Sequence, residues 1–401
     1  MNKKPVIKDV VRAAERIKDV VHMTPMRSSE TVSKMAGFEV CFKLENQQKT
    51  GSFKLRGAAN RIMGGTKSRE VIAASAGNHA QGVAFAAHQA GLQATIIMPE
   101  GAPLTKVEAT RSYGAKVIQQ GNSYDDCYQL AIEMAEKQGM EYIHAFEDPL
   151  IIAGQGTIGL EVLQQFPQVE QVIIPVGGGG LAAGIALAVK SNKPGVKIVG
   201  VQAQGADAVV RTLNRRQLSY SEHVNTIADG IAVKRPGKLT TSMLMNLMDA
   251  MVTVGEEEIA SAMLVALERM KTVVEGAGAV GLAAVMYHQE KLQKVPTAVI
   301  ISGGNVDVNM VARLIERGLV NTGRLARLQV RVPDRPGSLQ RVLSTVSGNG
   351  ANVISIDHDR LKQDLPLQWT QITLSLETKN SQHLEQIVES LHEQNLATKI
   401  V

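Results

Sequence analysis

Val172-Ile173-Ile174-Pro175-Val176 runs directly into Gly177-Gly178-Gly179-Gly180-Leu181-Ala182-Ala183-Gly184. An uninterrupted β-branched run reads as a strand buried on both faces, the kind found in parallel sheets covered by helices. Four consecutive glycines are costly to order. They are tolerated where successive N–H groups close around an anion, and at the start of a helix they make a phosphate cup. The stretch is not a P-loop, because the Gly-Lys-Ser/Thr ending is missing. Deep in the chain and without the usual acid, it is not a dinucleotide fingerprint either.

The same rhythm recurs through residues 40–310. Val71-Ile72-Ala73-Ala74 leads into Ser75-Ala76-Gly77-Asn78-His79, Ala94–Met98 stops at Pro99, and Val299-Ile300-Ile301 leads into Ser302-Gly303-Gly304-Asn305. In open parallel sheets ligands bind at the carboxyl ends of the strands, which is where these loops stand. The last 75 or so residues have a different period. Leu328, Val330 and Val332 alternate, Leu339, Val342, Leu343 and Val346 follow helical spacing, and a strand is expected at 352–357. Ile372, Leu374 and Leu376 alternate again, Leu384, Ile387, Val388 and Leu391 return to helical spacing, and 396–401 closes the series. The order βαββαβ predicts a ferredoxin-like module. The join is expected in Gly318–Arg324.

Composition removes several classes of function. With 44% apolar residues among 401 there is enough material for packed cores, so disorder is excluded. Aromatics at 3% are too few for a protein that stacks bases, and the net charge of +5 comes from interspersed residues. The densest basic spot, Arg211 with Arg215 and Arg216, reads as solvated surface, so no nucleic-acid partner is expected. Cys41 and Cys127 make neither a disulfide framework nor a zinc knuckle, and no HExxH is present, so no metal site is expected. No uncharged apolar run is long enough to span a bilayer, and Met1-Asn2-Lys3-Lys4-Pro5 lacks the apolar core of a signal peptide. A cytoplasmic protein with no membrane partner is expected.

Two further segments carry chemistry. In Lys49-Thr50-Gly51-Ser52-Phe53-Lys54-Leu55-Arg56, Lys54 sits between apolar neighbours after a Gly-Ser turn. A desolvated lysine has a lowered pKa and becomes a usable nucleophile or base. In Ser75–His79 a glycine-containing turn opens a helix, and its N–H groups suit a carboxylate.

Taken together, in order and spacing, these segments resemble the fold-type II pyridoxal-phosphate (PLP) enzymes, in the branch of the threonine dehydratases and serine racemases. The Ser52-Phe53-Lys54, Gly154-Gln155-Gly156-Thr157 and Glu275-Gly276-Ala277-Gly278 segments share in the resemblance, and Asp334-Arg335-Pro336-Gly337 looks like the ligand loop of an ACT domain. The resemblance implies an α/β, tryptophan synthase β-like fold of two open sheet lobes. Residues 1–66 and 154–320 would form the large lobe, 67–153 the small lobe, and 325–401 a ferredoxin-like ACT domain.

The resemblance also implies site roles. Lys54 would carry pyridoxal 5'-phosphate and act as base, with Phe53 packed beside the ring. Asn78 would meet the phenolic oxygen, Ser302 the pyridine nitrogen, and Gly177, Gly178, Gly179, Gly180 and Leu181 the phosphate. Ser75, Gly77, Asn78 and His79 would bind the substrate carboxylate, with Ser75 also a catalytic candidate, and Glu275 would lie near the ring. A hydroxyl at Ser302 favours elimination over transamination. The implied reaction is dehydration and deamination of L-threonine to 2-oxobutyrate and ammonia, and of L-serine to pyruvate, in isoleucine biosynthesis or threonine catabolism. The rivals are a serine racemase and a β-replacement transferase. Racemases of this branch carry acidic metal ligands where Gln202 stands here, and the transferases carry Thr where His79 stands. A homodimer or homotetramer is expected, with an amino-acid or nucleotide effector on the ACT domain.

Overall fold

The computed structural model describes residues 3–360 and 365–401; Met1 and Asn2 of the N-terminal reading, and residues 361–364 of the last module, lie outside them. The chain divides into two compact units, the first ending at Val306 and the second comprising Asp307–Val401. The division lies upstream of Gly318–Arg324, because the helix Val308–Asn321, which buries no residue, is grouped with the last module.

The first unit holds two sheets. The larger runs in the order Met26–Ser28, Val40–Leu44, Thr297–Ile301, Gln171–Pro175, Lys197–Ala203 and Ala250–Val254. All its pairings are parallel except that of the short edge strand Met26–Ser28. Val40–Leu44, Gln171–Pro175 and Thr297–Ile301 are buried at every position, as uninterrupted apolar runs require. The smaller sheet is parallel throughout, in the order Lys116–Gln119, Gln93–Met98, Glu70–Ala74 and Glu141–Tyr142.

Helix boundaries follow local chemistry. The Asp148 side chain accepts the N–H groups of Leu150 and Ile151 at 2.7 and 3.2 Å, and Pro149 supplies the pre-set φ of a first helical residue. The helix Pro149–Gln165 that follows packs against Lys54–Met63, where Gln155 Oε1 accepts the Gly57 N–H at 3.1 Å. The Gly154–Thr157 segment of the sequence is therefore part of a helix–helix seam.

Under that seam lies a buried charge network. Arg56, fully buried, donates Nε and Nη2 to the two oxygens of Glu45, each at 2.8 Å, and Nη1 and Nη2 to those of Glu161 at 2.6 and 2.9 Å. Lys43 joins through Glu161 at 2.5 Å and donates to the Thr24 carbonyl at 2.6 Å. Two cations thus face two carboxylates, and the charge balances inside the core.

The second unit contains an antiparallel sheet in the order Asn352–Asp359, Trp369–Glu377, Leu325–Pro333 and Ala397–Ile400, with helices Ser338–Gly348 and Ser381–Glu393. This is the βαββαβ module expected. Leu328, Val330, Val332, Ile372, Leu374 and Leu376 pack against Val342, Val346, Ile387 and Leu391. Among the described residues, no helix is long and apolar enough to cross a membrane, and no group of His, Cys, Asp or Glu is placed to hold a metal ion.

Replacing Arg56 with Leu leaves Glu45 buried without its cation. Breaking a buried pair from one side costs about 3–5 kcal/mol. Urea unfolding of Arg56→Leu followed by circular dichroism should show a loss of that order; a wild-type midpoint would mean that the network contributes nothing to stability.

Candidate active site

The loops at the carboxyl ends of three strands, Glu70–Ala74, Gln171–Pro175 and Thr297–Ile301, meet in a cavity of about 420 Å³ between the two sheets of the first unit. Phe53, Lys54, Ser75, Gly77, Asn78, His79, Gly177–Leu181, Glu275 and Ser302 all line it. The sequence-derived site residues are therefore brought together without exception.

Lys54 is the first residue of the helix Lys54–Met63. Its position is set from both sides. The Phe53 N–H donates to the Ser302 carbonyl at 3.0 Å and Ser52 bridges to Gly303, pinning the turn to the loop after Thr297–Ile301. Two residues on, Arg56 anchors the helix in the charge network. Lys54 Nζ donates to the Ala145 carbonyl at 3.1 Å and lies 5.3 Å from the centre of the Phe53 ring. Burial lowers its pKa from 10.5 to about 8, with the charge of Glu275 opposing the shift. A far larger share of the amine is then unprotonated near neutral pH than for a solvated lysine, as a nucleophile or base requires.

The glycine loop closes the opposite wall. Gly179 has a φ of +93°, the left-handed region that favours glycine, and caps the helix Gly180–Asn192. A Cβ on Gly178 would fall 2.4 Å from the Phe146 ring. Thr240 Oγ1 donates to the Gly178 carbonyl at 2.6 Å, turning that peptide's oxygen away from the cavity. The first N–H groups of a helix have no intrahelical partner, so the loop presents donors to an anion. A glycine cradle, a lysine amine and the buried hydroxyl of Ser302 fit a phosphorylated aldehyde cofactor.

On the side of the smaller sheet, Ser75 Oγ accepts the Gly77 N–H at 3.2 Å. The buried His79 ring is directed at the Ile143 carbonyl, with Nε2 at 2.9 Å. Burial and the nearby Lys54 charge push His79 down to about 3, so it is neutral and donates from Nε2. Its side chain thereby anchors the loop to the segment after the strand Glu141–Tyr142. Asn78 is engaged more fully than its sequence position suggested: Nδ2 donates to Glu275 at 2.8 and 2.9 Å, and Oδ1 accepts from Asn305 Nδ2 at 2.6 Å. Burial raises Glu275 to about 7 despite the Asn78 hydrogen bond.

Other lining residues carried no signal in the sequence. Lys106 pairs with Asp229 at 2.8 Å, an ion pair between residues 123 positions apart. Phe146 was equally hidden, since only the fold brings it to the cavity, whereas Asn305 belongs to the loop after Thr297–Ile301 that the sequence marked. Gln202, in contrast, faces away: its buried side chain accepts the Val210 N–H at 2.8 Å and steadies the helix Ala208–Arg215.

Residues 17–303 match the model of the pyridoxal-phosphate dependent enzymes, and residues 321–395 match that of the ACT domain. The chain belongs to the pyridoxal-phosphate dependent enzyme family. An L-threonine ammonia-lyase of Thermotoga maritima is 47% identical over 398 residues, covering 98% of this chain and 99% of the relative. Among solved structures, the processed form of a threonine deaminase isoform from Solanum lycopersicum is similar with a TM-score of 0.74 and 35% identity, covering 79% of this chain and 90% of that one. A maize serine racemase is similar with a TM-score of 0.75 and 34% identity, covering 80% of this chain and 99% of its own. As a member of this family the PLP-dependent enzyme described here carries its ACT domain after the catalytic body.

The depressed basicity of Lys54 is measurable in the full-length chain freed of cofactor. Below its pKa the amine is protonated and inert to acylation; above it, reactive. Mass spectrometry of the Lys54 peptide after acetic anhydride pulses should give a half-maximal rate near pH 8, and a midpoint near 10.5 would mean that the amine is solvated.

Proposed function

We propose that this PLP-dependent enzyme is an L-threonine ammonia-lyase, converting L-threonine to 2-oxobutyrate and ammonia and L-serine to pyruvate. The observation that carries the reading is the convergence of Lys54, the four-glycine loop and Ser302 on one cavity. It is supported by likeness to an L-threonine ammonia-lyase over nearly the whole chain.

In this reading Lys54 would hold the cofactor covalently, and Phe53 would pack beside the ring. The N–H groups of Gly177, Gly178, Gly179, Gly180 and Leu181 would hold the phosphate, and Asn78 and Ser302 would hold the ring through its phenolic oxygen and its pyridine nitrogen. When bound, PLP supplies an electron sink for the pair left at Cα. The backbone of Ser75–His79 at the start of the helix Asn78–Gln89 orients the substrate carboxylate. With its amine free, Lys54 Nζ would take the substrate's Cα proton. Desolvation suits it to that task, since a base works best when its pKa lies near the working pH. Ser75 lies on the small-sheet side, where a racemase needs an acid.

Lys54→Ala should lose about 10²–10⁴-fold or more of 2-oxo acid formation from L-threonine, the scale of a positioned general base. Undiminished turnover would remove Lys54 from the mechanism. The competing reading, serine racemase, is favoured by the similarity to the maize enzyme. Chiral analysis after incubation with L-serine separates the two: pyruvate is expected to outpace D-serine, and the reverse would make this a racemase.

The ACT domain is read as an effector site. The Asp334–Gly337 turn leads into the helix Ser338–Gly348, and Arg335, Ser338, Arg341 and Thr345 line a hollow beside it. Titrating isoleucine, valine and nucleotides against the ammonia-lyase rate should reveal a response to one of them; no response to any would assign the module to assembly alone, consistent with a homodimer or homotetramer.

A further inference from the structure

The segment Ile143–Asp148 touches three parts of the cavity wall. The Ile143 carbonyl holds His79, the Ala145 carbonyl accepts from Lys54 Nζ, Phe146 packs against the glycine loop, and Asp148 caps the helix Pro149–Gln165. Glu147 accepts the Leu239 N–H at 2.6 Å at the start of the helix Lys238–Leu247. A stretch this short needs something to hold its turn, and one side chain does so. His144 Nδ1 accepts the N–H of Phe146 at 3.1 Å and that of Glu147 at 2.9 Å.

We propose that His144 is a positioning residue for Lys54: its Nδ1 fixes the turn that aims the Ala145 carbonyl at the amine. The inference rests on the proposed role of Lys54 as base. A neutral amine that gives one N–H to a fixed acceptor keeps only two positions for its lone pair, and Lys54 lines the cavity. Without that acceptor the amine rotates freely, and fewer of its orientations face Cα.

The tautomer follows from the geometry. A ring nitrogen that accepts two backbone N–H groups carries no proton, so His144 is neutral with its proton on Nε2. Burial and the nearby Lys54 charge push its pKa down to about 4, in the same sense. The titratable groups coupled to Lys54 are Glu275, His79 and His144 itself, and both histidines are held well below neutrality. The ring also packs edge-on against Phe146, with centroids 4.7 Å apart, and near Tyr142 at 6.0 Å. Any test must separate the acceptor from the ring.

Two substitutions do so. His144→Phe keeps an aromatic ring and removes the acceptor. His144→Asn removes the ring and keeps an acceptor, because Asn Oδ1 stands one bond beyond Cγ, as Nδ1 does, and such side chains commonly accept local N–H groups. A hydrogen bond accepted from an ammonium favours its charged form, so loss of the Ala145 contact lowers the pKa of Lys54. In the cofactor-free full-length chain, His144→Phe should move the Lys54 acylation midpoint down by about one pH unit. In the holoenzyme it should lower kcat about tenfold or more with KM changed far less, as for an interaction felt only in the transition state. More of the amine would then be neutral while turnover falls, a combination that mere loosening of the fold does not produce. His144→Asn should keep both the midpoint and kcat near wild type. A wild-type midpoint and kcat in His144→Phe overturns the proposal, and so does His144→Asn losing both, which would assign the effect to ring packing. If His144→Phe does not fold, His144→Leu, close to asparagine in size and without an acceptor, takes its place: a fall in midpoint and kcat that His144→Asn does not show is expected, and no difference between the two overturns the proposal. Because the midpoint is read without turnover, it reports on positioning even if Lys54→Ala were to keep its activity and the reading of Lys54 as base were to fail.

Discussion

The site depends on a guanidinium placed where water cannot reach it. Arg56 sits two residues after Lys54, on the first turn of the same helix, and every one of its donors is used. Its partners come from different parts of the chain: Glu45 follows the strand Val40–Leu44, and Glu161 belongs to the helix Pro149–Gln165. A planar cation with five donors can satisfy two carboxylates at once, which a lysine cannot do. Lys43 completes the neutralisation of Glu161. The network need not be more stabilising than an apolar core of equal volume. What it adds is direction, because charges buried at these distances tolerate little displacement. Lys54 inherits that rigidity.

A rigid helix start allows the amine to be desolvated without being lost. Burying a cation shifts its pKa downward, and an uncompensated lysine would move further than Lys54 does. Glu275 is the counterweight, a carboxyl itself pushed up toward neutrality by burial. The two groups share one low-dielectric cavity, and neither is fully committed to its charged form near pH 7. Such pairs are a mark of proton-transfer sites. The neutral histidines at 79 and 144 fit the same environment: each uses a ring nitrogen to hold backbone, and neither adds charge.

Much of this was legible in the sequence, for a physical reason. Buried parallel strands must be written as unbroken apolar runs, and backbone that approaches an anion must be written in glycine. Val172–Gly184 does both, and Val71–His79 and Val299–Asn305 repeat the pattern. The alternation at Leu328, Val330 and Val332 showed equally well that the last module buries one face of an antiparallel sheet, and each of the three is fully buried. Contacts between sequence-distant side chains left no such trace. Nothing in the spacing couples Lys106 to Asp229 or Asn78 to Glu275. Apolar residues recur along the helix Val308–Asn321 as they do in the catalytic body, although none of them is buried. Periodicity marks a face without saying what covers it.

The two sheets of the catalytic body meet across the cavity through polar ties of unequal strength. Lys106 and Asp229 are both partly exposed, and an ion pair of that kind contributes about 0–1 kcal/mol and weakens with salt. The Asn78–Glu275–Asn305 chain is held at short range around a carboxyl that is almost fully buried, so its members cannot exchange protein partners for water without cost. The tie of consequence therefore runs through Asn78, the residue proposed to meet the cofactor's phenolic oxygen. The Asn78 amide has two N–H groups, and in this structure Glu275 receives the contacts of that nitrogen. A cofactor oxygen that claims one N–H leaves the other for Glu275, so a single amide can serve both. Loop position, cofactor contact and the charge of Glu275 are then coupled through one side chain, which is reason enough for asparagine here: aspartate would bring a second carboxylate against Glu275, and a hydroxyl has only one hydrogen to give.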